Sequence, residues 1–216
     1  MVARILITSG PTRQYLDPVR YLTNASSGRM GCALAAAAIE RGYEVVVVSG
    51  PVDIEYPAQA TVIDVVSTEQ MLAACQEVFA ACDGLIGVAA PCDYRPVRVQ
   101  TDKIKKTGAP LRLELIETED VVATLGQQKG HRWMVGFALE TDDERLRALA
   151  KLEEKSCDLM VLNGPQAMHS LQNQVEILGA EGQILDRFEG SKAEVGRQIF
   201  RVIEQRLIQG RQTQGK

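Results

Sequence analysis

No stretch of the 216-residue sequence approaches the ~20 consecutive apolar positions that a membrane-spanning helix needs. The opening segment MVARILITSG holds an apolar run too short for a signal peptide, so it reads as the first buried strand of a cytosolic protein. The five cysteines (Cys32, Cys75, Cys82, Cys92 and Cys157) are odd in number and contain no CxxC pair, which argues against both a disulfide framework and a zinc site. Reduced thiols in a cytosolic compartment are expected instead. Cys75 and Cys82 fall on one face of one predicted helix, as small buried residues. The 24 basic residues form no long run and the net charge is only −4, so a nucleic-acid face and an anionic-membrane face are both excluded. There is no internal repeat and no low-complexity segment.

Hydrophobic residues make up 45% of the chain, enough for a sizeable core. Strand-length apolar runs alternate with helical patterns: ARILIT, a helix near 28–41, EVVVVS, TVIDVV, a helix near 68–82, and GLIGVAA. After a polar loop come LRLELIE, a helix near 118–128, WMVGFA, a helix near 142–156, and DLMVLN. Continuous Val/Ile/Leu runs joined by helices are what a parallel sheet covered on both faces requires. The fold class is therefore α/β, a doubly wound, mainly parallel Rossmann-like sheet.

Two segments depart from this rhythm. The loop from Pro91 to Pro110 is polar, Lys-rich and long for a connection between a strand and a helix, as functional lids often are. QVEILGAEGQILDRF alternates apolar and polar positions around GAEG, which predicts an antiparallel hairpin appended to the sheet. An amphipathic helix over 191–208 then closes a single nucleotide-binding domain spanning 1–208, and residues 209–216 are expected to form a disordered tail.

Ser9 and Gly10 end the first strand, yet turn signals continue to Asn24-Ala25-Ser26-Ser27-Gly28-Arg29-Met30-Gly31 before an Ala-rich helix begins. Ser26 or Ser27 can cap that helix, and Gly28 and Gly31 let a ligand approach the backbone closely. Gly10, Ser26, Ser27 and Gly28 are thus candidate nucleotide contacts, since a helix start with free N–H groups is a site for phosphate. A capped helix with glycines placed for packing explains the same residues without a ligand. NASSGRMGCALAAAAIERGYEVVVVS also looks like the loop, helix and second strand of NAD(P)-dependent short-chain dehydrogenases. Their loop follows the first strand directly, however, and their catalytic YxxxK pair has no counterpart here. A non-catalytic nucleotide-binding module is the other alternative.

The ordered set GPTRxxLDPVRYxTNxSSGxMG, AAxxDYR, KIKK, GFAxET and a D-L-x-V-x-N strand end, across residues 4 to 163, resembles phosphopantothenoylcysteine synthetase, the C-terminal half of a bifunctional flavoprotein. Nothing resembles the flavin-binding decarboxylase half, so the resemblance implies a stand-alone synthetase without an FMN site, with a separate decarboxylase as a candidate partner. In the family reaction 4′-phosphopantothenate attacks the α-phosphate of CTP and pyrophosphate leaves. The amine of L-cysteine then attacks the acyl-cytidylate and CMP leaves, with Mg²⁺ assisting.

The resemblance assigns roles residue by residue. Lys103 of DKIKK matches a lysine that neutralises charge as pyrophosphate departs, with Lys105 and Lys106 less firmly matched. Asn24 matches an asparagine that serves the tetrahedral oxyanion, and Arg20 an arginine that holds a carboxylate or phosphate of the substrate. Ala89 and Ala90 match positions lying against the nucleotide, Ala90 also on the substrate side. Asp93, at the carboxyl edge of GLIGVAA, can accept from the exocyclic amine of cytosine. Phe137 can pack on the nucleotide, and Asn163 matches a strand-end position. Each has an ordinary alternative: a solvated lysine, a turn asparagine or aspartate, a surface arginine, a core aromatic. Pro91 and Cys92 stand where the family has Val and Ala, and Pro91 has no N–H to offer a base. A homodimer is expected, both from the resemblance and from the edges of LRLELIE and the GAEG hairpin.

Overall fold

A computed structural model describes residues 2–139, 144–163 and 173–210. The central sheet has eight strands in the order β12-β11-β10-β9-β6-β1-β4-β5. Six of them are parallel: β1 (Arg4–Ser9), β4 (Glu44–Ser49), β5 (Thr61–Asp64), β6 (Gly84–Gly87), β9 (Trp133–Leu139) and β10 (Leu159–Asn163). Taken in chain order these six lie 3-2-1-4-5-6 across the sheet, the doubly wound dinucleotide-fold arrangement. The hairpin β11 (Asn173–Gly179) and β12 (Ile184–Gly190) adds to β10 in antiparallel fashion, as the alternation around GAEG predicts.

The unbroken apolar runs have a direct cause. Successive side chains of a strand point to opposite faces, and both faces here are covered. Ile5, Ile7, Val45, Val47, Val135 and Val161 pack on one side with α1 (Arg29–Glu40) and α5 (Lys192–Ile203). Leu6, Val46, Val48, Leu85, Met134 and Met160 pack on the other with α2 (Thr68–Phe79), α3 (Val121–Gln127) and α4 (Glu144–Glu154). α1 is alanine-rich because α5 crosses it closely: a Cβ added to Gly196 would sit 2.9 Å from the Ala33 Cβ. Ser67 and Ser191 start α2 and α5 with reciprocal capping boxes. α5 continues into a π-helical segment, Glu204–Gln209.

Three expectations need correction. The stretch after Gly10 contains a short antiparallel pair, β2 (Arg13–Tyr15) with β3 (Tyr21–Thr23), rather than turns throughout. LRLELIE is not a strand of the main sheet. Only β8 (Leu115–Glu117) is extended and paired, with β7 (Tyr94–Pro96), because its alternating leucines have no core to face: Leu111, Leu113 and Leu115 are all exposed. α2 ends at Phe79, so Cys82 lies in the following turn and shares no helix face with Cys75. Both thiols are buried and free, and burial pushes Cys75 up to about 12. Among the described residues no helix is long and apolar enough to cross a membrane. The tail from residue 211 and the end of GFALET from residue 140 lie outside the described residues.

Candidate active site

The strand order reverses between β1 and β6, so the connections leaving their carboxyl ends diverge to opposite faces and open a crevice. An isolated parallel bridge from Pro11 to Ala90 prolongs the pairing, and the Ala90 N–H donates to the Gly10 carbonyl at 2.9 Å. The chain then makes the β2–β3 hairpin before entering α1, which is the physical departure from a dehydrogenase loop. At the hairpin's tip the Asp17 carboxylate accepts from the N–H groups of Val19 and Arg20, both at 2.8 Å.

Neither Ser26 nor Ser27 caps α1. Gly28 is the N-cap with φ of 71°, a left-handed conformation, whereas a side-chain cap requires extended backbone at that residue. No side chain bonds the helix start and no acid lies in its first turn, so its N–H groups are open to an anion. Ser9, fully buried, donates to the Gly28 carbonyl at 3.2 Å and accepts from the Tyr56 hydroxyl at 2.8 Å. Tyr56 also lies 2.8 Å from Ser49 Oγ. Gly31 must be glycine because a Cβ there would fall 2.1 Å from Ser9 Oγ.

Two cavities adjoin at the carboxyl edge. The larger, about 650 Å³, is lined by Asn24, Ser26, Ser27, Gly28, Ala90 and Asn163 among others, with Arg13, Arg29 and Lys192 as its cations. The smaller, about 310 Å³, is lined by Asp93, Tyr94, Thr118, Asp120 and Lys155 among others. Ala89 and Phe137 line both and form the wall between them. Gly10 is buried behind the crevice and lines neither; a Cβ on it would meet Val52 at 2.7 Å. The sequence-predicted residues that line the crevice thus divide between two cavities that share one wall.

The turn holding Pro91 and Cys92 is fixed by threonines that sequence reasoning missed. The Cys92 N–H donates to Thr12 Oγ1 at 2.7 Å, and Thr68 Oγ1 donates to the Cys92 carbonyl at 3.1 Å. The two hydroxyls lie 2.8 Å apart; since the proton of Thr68 is used on Cys92, Thr12 donates to Thr68 and the ring closes. Thr118 adds a bond to the same carbonyl at 2.8 Å. The N–H groups of Ala89, Ala90 and Cys92 all have partners inside the fold. Asn24 Nδ2 ties the hairpin to this turn, donating to the Pro91 carbonyl at 2.8 Å and reaching that of Ala90 at 3.5 Å.

Arg20 and Lys103 line neither cavity. Arg20 Nη1 pairs with Asp17 at 2.8 Å and donates to the Ile104 carbonyl at 3.0 Å, while the Ile104 N–H donates to Asp17 at 3.0 Å. Burial alone would raise the Asp17 carboxyl, but the N–H groups of Ile104, Val19 and Arg20 and the guanidinium of Arg20 hold it below the usual carboxylate range. Lys103 is exposed on the loop between β7 and β8. Among the described residues no group of three or more His, Cys, Asp or Glu side chains can hold a metal ion.

Residues 2–207 match the family described as DNA/pantothenate metabolism flavoprotein C-terminal domain. The chain is 42% identical over 207 residues to a cysteine/cysteine sulfinic acid decarboxylase from an unknown prokaryotic organism, covering 93% of this chain and 57% of that protein. It is 38% identical over 182 residues to the coenzyme A biosynthesis bifunctional protein CoaBC of Haemophilus influenzae, covering 82% and 46% respectively. The chain spans about half the length of these curated relatives. The crystal structure of the C-terminal domain of a CoaBC protein superposes with a TM-score of 0.81 at 36% identity, covering 96% of this chain and 98% of that one. The chain belongs to the DNA/pantothenate metabolism flavoprotein C-terminal domain family, as a phosphopantothenoylcysteine synthetase-like domain.

Proposed function

We propose that this chain ligates 4′-phosphopantothenate to L-cysteine at the expense of CTP. The observation that carries the reading is the pair of cavities sharing Ala89 and Phe137, one ending on the uncapped start of α1 and the other holding Asp93. The open helix start and its neighbouring cations suit phosphate groups. The Asp93 carboxylate suits the exocyclic amine of a base, and the smaller cavity has the volume for a pyrimidine. In the first step a carboxylate oxygen of phosphopantothenate bonds to the α-phosphorus as the bond to pyrophosphate breaks. In the second the cysteine nitrogen bonds to the acyl carbon, loses a proton, and CMP leaves. Mg²⁺ would arrive on the nucleotide phosphates, which commonly complete its coordination.

The test is turnover of phosphopantothenate, cysteine and Mg²⁺ with CTP or ATP, followed by pyrophosphate and nucleoside monophosphate release. We expect cysteine-dependent product and a kcat/KM for CTP about 10²-fold above that for ATP. Asp93 alone does not decide this, because adenine also offers an amine; the size of the pocket and the rigid Pro91–Cys92 turn must. Equal values would overturn CTP preference, and no turnover would favour a binding module.

We also propose a homodimer in the cytoplasm. The β7–β8 arm carries Val97, Val99, Leu111, Leu113 and Ile116 exposed, with Val99 52% and Leu111 59% accessible, more apolar surface than a lone arm has reason to show. Sedimentation at micromolar concentration should give a dimer, and Leu111→Asp combined with Leu113→Asp should shift it to monomer. A wild-type monomer with full activity would overturn this.

A further inference from the structure

Among residues 97–117, the long loop and its second strand, Ile104 is half-buried where every other residue is exposed. Two bonds reach from this arm to the β2–β3 hairpin tip around it: the Gln100 N–H donates to the Leu16 carbonyl at 2.9 Å, and the Ile104 N–H to Asp17 Oδ2 at 3.0 Å. Arg20 closes the second contact from the other side by donating to the Ile104 carbonyl at 3.0 Å. Thr101, Asp102 and Lys103 are therefore slung between two anchors, with Lys103 next to the stronger one. Asp17 itself is wholly buried, and both of its oxygens are used: Oδ1 shapes the hairpin tip, Oδ2 takes the lid and the guanidinium.

We propose that Asp17 is a positioning residue that latches the lysine-bearing loop onto the β2–β3 hairpin, so that one carboxylate sets the backbone of Lys103 and the strand leading into Asn24. This rests on the ligase reading for its catalytic consequence, though not for the latch itself. Without an anchor, an 18-residue connection between β7 and β8 would have to be ordered each time nucleotide binds. With it, the main chain of Lys103 is already fixed and only side-chain torsions have to change. β3 runs from the same tip directly to Asn24, whose amide is tied to the turn between the cavities. The two residues assigned to opposite halves of the reaction thus share one buried support.

Asp17→Asn tests this with little change of shape. Its retained oxygen can still accept from Val19 and Arg20, but the new NH₂ faces the Ile104 N–H and the guanidinium, donor against donor. Trypsin cleavage at Lys103, Lys105 and Lys106 should then rise about tenfold, as expected for losing a charge-assisted bond, while the melting temperature of the sheet changes little. Single-turnover pyrophosphate release should fall on the order of 10²-fold through misplacement of Lys103. Should the variant not fold, amide exchange in the wild-type protein decides: Ile104 and Gln100 should exchange more slowly than Lys105 and Lys106. Equal exchange, or a folded variant with wild-type proteolysis and turnover, overturns the latch. A wild-type chain that makes no product sinks the ligase reading and leaves the exchange and proteolysis results to judge the latch.

Discussion

Replacing Lys103 by Gln is expected to reduce pyrophosphate release by a factor on the order of 10²–10³, the usual cost of removing one group aimed at developing charge. The pyrophosphate leaving group gains negative charge as its bond to the α-phosphorus breaks, and a nearby ammonium stabilises that state more than the ground state. Gln keeps a hydrogen-bonding amide on a side chain one atom shorter while removing the charge. Lys103 is exposed and outside both cavities, so the substitution costs no packing and the fold should melt as the wild type does. Rapid-quench analysis should find neither pyrophosphate nor acyl-nucleotide in the first turnover. Normal release of pyrophosphate would remove Lys103 from the first half-reaction.

Asn24→Asp should leave that burst largely intact and stall the reaction afterwards, with the cysteine-dependent step slowed about 10²–10³-fold. The reason lies in the two hydrogens of Nδ2. One is committed to the Pro91 carbonyl at 2.8 Å; the other faces the Ala90 carbonyl at 3.5 Å, a contact too long to hold it. That second hydrogen is left available to an oxyanion in the cavity that Asn24 lines with Ala89 and Phe137. Aspartate would bring a negative oxygen to the same place, repelling both the two carbonyls and the tetrahedral intermediate. Acyl-nucleotide should accumulate in the variant and persist when cysteine is added. Loss of the pyrophosphate burst together with the second step would assign Asn24 to substrate binding instead.

The parallel sheet was legible because its signal is long-range in the sequence: five of its six parallel strands are apolar runs buried on both faces, most of them joined by helices, while the edge strand β5 is largely exposed. The β2–β3 pair was not, since strands of three residues, RQY and YLT, are too short to show a period, and the turn between them is made by a side chain, Asp17. LRLELIE misled in the opposite direction. Alternation shows that one face differs from the other, and says nothing of whether the apolar face meets a core. At the site, the motifs located Asn24, Gly28 and Asp93 near the crevice, while the supports came from residues with no common pattern. Ser9 with Tyr56, and Thr12 with Thr68 and Thr118, are single hydroxyls on separate elements whose meeting depends on the complete fold. Arg20 shows the same limit: its motif position is evident, but its bond to the Ile104 carbonyl spans 84 positions of chain.

The central place of β1 has a consequence for vectorial synthesis on the ribosome. Of the six parallel strands, residues 4–9 emerge first, yet their two neighbours are residues 44–49 and 84–87, and the far side of the latter waits for residues 133–139. Until those emerge, a half-built parallel sheet ends on Gly84–Gly87, a bare apolar edge able to template pairing with another nascent chain. Translation that pauses between residues 91 and 132 would prolong that exposure. Fragments ending there should be recovered as aggregates, while those ending past the GAEG hairpin and α5 should be recovered folded.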